Sequence, residues 1–169
     1  MLHSGLIITN LEAIKIKLTP SLVPEGNWYI NMRHHLGDEW KKLSRKIREI
    51  NHYECSICGA KPDKRYLHAH EVWEFYDRKD QGLQKLADII SVCKDCHDVI
   101  HWGRTSALES QERVEYLINH FCKVNNARIE DFERELGIAV QKWHRRSKRD
   151  YPVDMSKGIE IYNNLIGAD

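Results

Sequence analysis

The chain has 169 residues, 41% of them apolar and 30% charged, with a formal net charge of +1. This is ordinary for a soluble globular protein that buries a real core in one lobe or two. No run approaches the ~18 apolar residues of a membrane span, and the opening "MLHSGLIITNLEAIKIKL" lacks the basic start and long apolar middle of a signal peptide, so a cytoplasmic protein with no membrane partner is expected.

The first thirty residues carry the weakest pattern. "NLEAIKIKLTP" fits a short helix, or a strand in which Ile14, Ile16 and Leu18 alternate with lysines, and Pro20 and Pro24 mark an extended linker. Asp38 is placed as the N-cap of a helix running to about Ile50, because Trp40, Leu43, Ile47 and Ile50 recur at helical spacing. "RYLHAHEVW" reads as a strand ending before the charged "EFYDRKDQG", and "CHDVIHWG" as a short helix stopped by Gly103. Val114, Leu117, Ile118 and Phe121 trace a helix from about Leu108 to Lys123 capped within "SALES". Phe132, Leu136, Ala139 or Val140, and Trp143 trace another from about Ile129 to Arg146. A turn and a short helix close the chain, with no function assigned to them. The pattern divides the chain into an N-terminal extension (1–37), a helix with a chemically dense core (38–104) and a C-terminal helical region (105–169).

Four of the five cysteines form two identical spacings, Cys55-x-x-Cys58 and Cys93-x-x-Cys96. Each such turn supplies two thiolates from a tight knuckle, and two knuckles complete a tetrahedral zinc. Gly59 follows Cys58, where a knuckle tends to need positive φ. Disulfides or a redox motif are the competing explanation, but a cytosolic chain keeps thiols reduced and no thioredoxin-like βαβ context surrounds these. Cys122 falls beside Phe121 on a helix face and reads as a buried apolar residue.

If four sulfurs close the zinc, the nearby histidines are left for a second site. His97 and His101 stand four apart and share one helix face; His68 and His70 alternate on a strand and point the same way, with Glu71 to the other side. The knuckles hold both segments together. His3, His34, His35, His52, His120 and His144 read as surface or satisfied core residues.

The charge is unevenly spread. Lys41, Lys42, Arg45, Lys46 and Arg48 form one basic run without an acid, and Lys142, Arg145, Arg146, Lys148 and Arg149 another. Either alone is most simply a solvated helix face, whereas two flanking a metal centre point to nucleic acid.

A Cys-x-x-Cys pair, a strand bearing "HAHEVWE", a polar residue nine before "CKDCH" and a further histidine resemble the layout of HNH endonucleases, a bacterial and phage subgroup in particular. The likeness covers roughly residues 53–104, about a third of the chain. It implies an α+β fold: a small ββα-metal, treble-clef-like zinc core with helical N- and C-terminal flanks. It also implies a structural Zn²⁺ on the four cysteines and one divalent catalytic cation (Mg²⁺, Mn²⁺, Ni²⁺ or Zn²⁺) on His70, His97 and His101. The family reaction is hydrolysis of DNA phosphodiesters, with duplex DNA the expected partner. Carried over by position, Glu71 falls on the general base and Asp88, nine residues before His97, on the central polar residue. Two departures accompany this: the family's base is usually His and its central residue Asn. In a register shifted by one, His70 becomes the base and His68 substitutes as ligand. The expected role of Asp88 is to raise the Glu71 pKa or to orient a histidine. Phosphate contacts are expected from Lys41, Lys42, Arg45, Lys46, Arg104, Arg145, Arg146, Lys148 and Arg149, with Lys94 also near the site. A zinc module that binds nucleic acid or protein without catalysis is the alternative.

Overall fold

The computed structural model describes residues 17–77 and 81–167. Residues 10–16, read above as helix or strand, lie outside the described residues. Those described form seven helices and a three-stranded sheet, an α+β fold. In chain order they are α1 (Met32–Leu36), α2 (Glu39–Ile50), β1 (Leu67–Asp77), β2 (Gly82–Cys93), α3 (Lys94–Ile100), α4 (Trp102–Leu108), α5 (Gln111–Asn125), α6 (Ile129–Arg146), β3 (Val153–Asp154) and α7 (Ser156–Leu165). None of these helices is long and apolar enough to cross a membrane.

The sheet is a long antiparallel hairpin with a stub. β1 pairs with β2 from Leu67 opposite Cys93 to Asp77 opposite Gly82, and β3 adds in parallel to β2 through Gln84 and Lys85. β1 is therefore an open edge. A bulge interrupts the ladder, since Val72 faces Asp88 but Trp73 faces Leu86, leaving Ala87 as the extra residue. The bulge has a packing consequence. Leu86 and Ile89 are three apart, which strict alternation would put on opposite faces, yet both enter the same core.

Each face of the hairpin has its own core. Met32, Trp40, Leu43 and Ile47 pack from α1 and α2 on Leu86 and Ile89, joined by Ala69, Trp73 and the α7 side chains Ile161, Tyr162 and Leu165. On the other side Leu67, Val92, Val99, Ile100, Leu117, Phe121 and Phe132 form the core that carries α3, α5 and α6. Leu18 joins it, held by Asn125, whose side chain accepts from the Lys17 and Leu18 amides and donates to Leu18 O.

Several expectations shift. α2 begins after Asp38 as the periodicity predicts, but the Asp38 carboxylate makes no cap bond and instead pairs with Lys41 at 3.0 Å. β1 runs on through "EFYD", because the hairpin partner continues to supply ladder bonds past the apolar residues. Gly103 does not stop a helix. The break falls at His101, whose φ of −87° and ψ of 39° close α3 and open α4, and Gly103 lies in the first turn of α4. α5 consequently starts later than expected, at Gln111, where Ser110 accepts from the Arg113 amide at 3.3 Å.

α7 rests on the core of Met32 and Leu86 through Gly158, where a Cβ would stand 2.5 Å from Leu86 Cδ2 and 2.6 Å from Met32 Sδ. Gly158→Ala is expected to cost about 1–3 kcal/mol by overpacking. Gly137, mid-way along α6 with nothing within 4 Å of its Cβ position, is the control: Gly137→Ala is expected to stabilise by up to ~1 kcal/mol. Urea unfolding of the two variants checks both signs.

Candidate metal centres

Cys55 and Cys58 lie on the turn between α2 and β1, and Gly59 after them has the φ of 74° that the knuckle requires. Three backbone bonds hold this turn: Gly59 N to Cys55 O at 2.9 Å, Cys55 N to Ala60 O at 2.9 Å, and Ser56 N to Ser91 O at 2.8 Å. The last bond sets the knuckle against the end of β2. Cys93 ends β2 as the N-cap of α3, its sulfur 3.5 Å from the Cys96 amide. All four are free thiols that converge on one point. Four sulfurs ~2.3 Å from a tetrahedral ion stand ~3.8 Å apart, and Cys58 Sγ lies 3.7 Å from Cys93 Sγ. Four cysteines so placed can hold a metal such as zinc.

Their protons support this fit. Hydrogen bonds from Cys93 and Cys96 hold the Cys55 thiol far below the usual thiol range, and the same contacts push Cys93 up to about 12 and Cys96 higher still. Protein groups alone sustain little more than one thiolate here, whereas a divalent cation lets all four ionise. His120, read above as unremarkable, has Nε2 3.2 Å from Cys96 Sγ. No local spacing could have flagged a residue 24 positions away on α5.

His70 on β1, His97 on α3 and His101 at the junction of α3 and α4 form a second cluster, their ligand nitrogens all within 4.8 Å of one another. The His70 ring lies edge-on to both, with centroids 5.4 Å from His97 and 5.0 Å from His101. His68 stacks on His97 with centroids 4.7 Å apart and planes 16° from parallel, and it is not part of the converging triad. Burial pulls His70 down to about 3 and His97 to about 2, with the neighbouring histidines adding to the shift, and it lowers His68 and His101 too. All four rings are therefore neutral at neutral pH, with lone pairs available to a cation.

Glu71 faces the other side of β1, where Oε1 accepts from the Met32 amide at the start of α1 at 2.8 Å. Burial raises its pKa, opposed by hydrogen bonds from the Met32 and Arg33 amides and the Trp73 side chain. Asp88 plays no part in that shift, contrary to expectation. It is exposed at the bulge, accepts from the adjacent Ile89 amide at 2.8 Å, and is not among the residues lining the cavity at the histidines. The sequence offset from His97 carried no information about the strand register, which pairs Asp88 with Val72 and Ile89 with Glu71.

That cavity has a volume of about 1020 Å³ and follows the open edge of β1, so consecutive residues 67–73 line it from both faces. His68, His70, Glu71, His97 and His101 share it with Arg33, Arg48, Arg65, Lys94 and Arg104. Of the expected phosphate contacts, Arg104 and Lys94 lie here, with Arg48 alone from the first basic run. Lys41 and Lys42 pair with Asp38 and Glu39 on the outer face of α2, where Arg45 and Lys46 are also exposed. Arg145 and Arg146 close on Asp77 at the end of β1, and Arg146 lies 4.2 Å above the Phe75 ring with its side chain 12% exposed. These two hold the hairpin to α6. Lys148 and Arg149 follow α6 outside the cavity lining. Arg33 and Arg65 were missed because they come from two separated segments outside the basic runs that only the fold brings to the cavity.

Cys58→Ser is expected to abolish binding of about one zinc per chain, measured by metal analysis after dialysis, together with cooperative folding; full zinc retention would overturn the four-cysteine site. The histidines give a pH dependence with a definite sign. Their folded pKa values lie below the unfolded ~6.5, so the unfolded chain binds more protons in acid. Stability is full above about pH 6.5 and falls, by about 1 kcal/mol per ring per pH unit, toward the folded values of about 3 and about 2 for His70 and His97. Urea unfolding of the zinc-loaded protein from about pH 7.5 to about pH 5.5 should show this slope, and His70→Gln should make it shallower.

Compared with protein-family models, with curated proteins and with solved structures, the chain matches none.

Proposed function

We propose that the chain is a metal-dependent endonuclease of the HNH type, acting on DNA phosphodiester bonds in the cytoplasm, with β1, β2 and α3 as its ββα-metal core. The observation that carries this reading is the convergence of His70, His97 and His101 from a strand and a helix, inside a cavity lined by arginines. A structural module has no use for three neutral, inward-facing imidazoles beside a complete four-sulfur site. A non-catalytic nucleic-acid module would share the arginines but not the histidine triad.

Cys55, Cys58, Cys93 and Cys96 would hold zinc and fix α3 against the hairpin. His70, His97 and His101 would hold the second cation, which when bound stabilises charge on the phosphate and the leaving oxygen. Three nitrogen donors favour Mn²⁺, Ni²⁺ or Zn²⁺ over Mg²⁺. Arg33, Arg48 and Arg104 neutralise and orient the phosphates flanking the scissile bond.

The proton acceptor for the attacking water is Glu71 or His68. Glu71 holds the position of the family's base, and burial shifts its pKa toward neutrality. Its carboxylate, however, already takes amide donors at α1. His68 favours the second assignment: its ring lies in the cavity on His97, and its nitrogens carry no protein hydrogen bond among the described residues.

Supercoiled plasmid incubated with the purified protein and Mn²⁺, Mg²⁺ or EDTA tests the reading. Nicking that requires the cation and falls at least ~100-fold in His97→Ala is expected; no cation-dependent nicking under any condition would sink it. Glu71→Gln and His68→Ala then separate the two acceptors. The true base should lower the rate by about 10²–10⁴-fold and remove the acid limb of the pH profile, while the other variant retains that limb.

A further inference from the structure

Trp28 is 55% exposed, Tyr29 78% and Ile30 40%, so three large apolar side chains in a row face solvent. The backbone beneath them is firmly anchored. The Trp28 indole N–H donates to Val23 O at 2.9 Å, which fixes the ring from its edge and leaves a face open. Just before it, the buried Asn27 side chain donates to Gln84 Oε1 at 3.0 Å and to Tyr151 O at 2.8 Å. Ser21 N donates to Ile100 O at 2.8 Å, tying the same segment to the end of α3. Buried hydrogen bonds therefore hold an aromatic ring out of the core, where a packing residue would have turned inward.

The surroundings of that ring limit what it can meet. Trp28 and Ile30 line the cavity that holds His70, His97 and His101. Arg33 and Arg104 line it too, exposed and without an ion pair among the described residues. Asp98, the acid at the cavity floor beside the histidines, is already bonded by Lys94 at 2.5 Å and Arg113 at 2.7 Å. An occupant must suit a flat aromatic face and free cations at once. Nucleic acid does, with a π-face on every base and a charge on every phosphate. In an intact duplex those faces are covered by neighbouring bases, whereas an unpaired base offers one.

We infer that Trp28, with Tyr29 beside it, is a stacking platform for an unpaired base of the nucleic acid whose backbone enters the histidine cavity. The inference rests on the nuclease reading and adds the substrate class: a single strand, or a duplex opened next to the cut. Arg33 and Arg104 take the phosphates on either side of the stacked base. The preference for unpaired substrate arises from the ring and the affinity for backbone from the arginines, so the two separate by mutation.

Fluorescence anisotropy of the full-length, zinc-loaded protein without added catalytic cation tests this. The probes are labelled oligothymidine and an oligo(dA)·oligo(dT) duplex of the same length. Trp28→Ala should weaken single-strand binding about tenfold and leave the duplex within about twofold, while Trp28→Phe keeps most of the single-strand affinity. Tyr29→Ala is the second variant, with a smaller single-strand loss, and thermal melting checks that each variant folds. Arg33→Ala should weaken both probes alike and reduce the salt dependence. Wild-type binding to both probes with no single-strand loss in Trp28→Ala and Tyr29→Ala, or with equal loss on both probes, overturns the platform and leaves the nuclease reading standing. Wild-type protein that binds neither probe overturns both.

Discussion

Successive residues on an α-helix project about 100° apart, and α3 uses that angle to separate the thiol cluster from the histidine cluster. Cys96 is turned into the thiol cluster, and His97, its neighbour in sequence, faces β1 with His101 one turn on. The distance between the clusters is therefore set by helix geometry and cannot drift. The thiol cluster also joins the N-terminus of α3 to the knuckle at Cys55 and Cys58, which is itself bonded to the end of β2 through Ser56 and Ser91. With α3 fixed at one end to the hairpin, His97 and His101 are brought to His70 without a dedicated contact of their own. Loss of a sulfur at one site thus propagates to the imidazoles of the other.

Burial does the complementary work on the histidine side. Val99 and Ile100 on α3 and Val92 on β2 sit in the apolar core that carries α5 and α6, so the inner end of the cavity is poorly hydrated. Protonated imidazoles crowded there would repel one another and lack water. Hence the rings remain neutral well below neutral pH. Glu71 experiences the same desolvation on the opposite face, and amide donors at the start of α1 offset only part of it, leaving its pKa raised. One edge strand thus presents neutral donors to one side and a bonded carboxylate to the other, following directly from the alternation of "HAHE".

Features with a local signal were legible in the sequence. The paired cysteine spacings and Gly59 marked the thiol cluster, and helical periodicity placed α2 and α6 to within a residue. The i, i+4 histidines and the strand alternation put four histidines together with Glu71 opposed, and the family resemblance chose His70 over His68 as the third member of the triad. What escaped depends on residues distant along the chain. Asp88 pairs across from Val72 and it is Ile89 that pairs with Glu71, so Asp88 leaves the strand on the face away from Glu71, a register that only the paired hairpin defines. The partner of Glu71 is the amide of Met32, 39 positions earlier. Basic runs misled because a run of charge on a helix end also serves to clamp an acid, as Arg145 and Arg146 do with Asp77. Arg33 and Arg65 were hidden for the opposite reason: each lies outside the two basic runs and reaches the cavity only through the fold.

The two clusters also differ in the charge they leave on a cation, and this decides which of them can attract a phosphate. Four thiolates around a divalent ion sum to a net charge of −2, and their coordination is complete. Such a site repels anions and has no open position for an oxygen. Three neutral imidazoles leave the charge of a divalent ion undiminished and its coordination incomplete. Arg33 and Arg104 add to that field at the same cavity, and the low dielectric of the wall beneath strengthens it. The acids in the lining have partners of their own: Asp98 is bonded by Lys94 and Arg113, Glu109 stands 3.9 Å from Lys94, and Glu71 accepts from the Met32 amide of α1. A net charge of +1 for the whole chain is therefore compatible with a strongly positive cavity, because local pairing removes the acids from it. On the proposed reading, what would suit the cavity to a phosphodiester is the neutrality of the imidazoles, and that neutrality comes from the same packing that holds α3 against the hairpin.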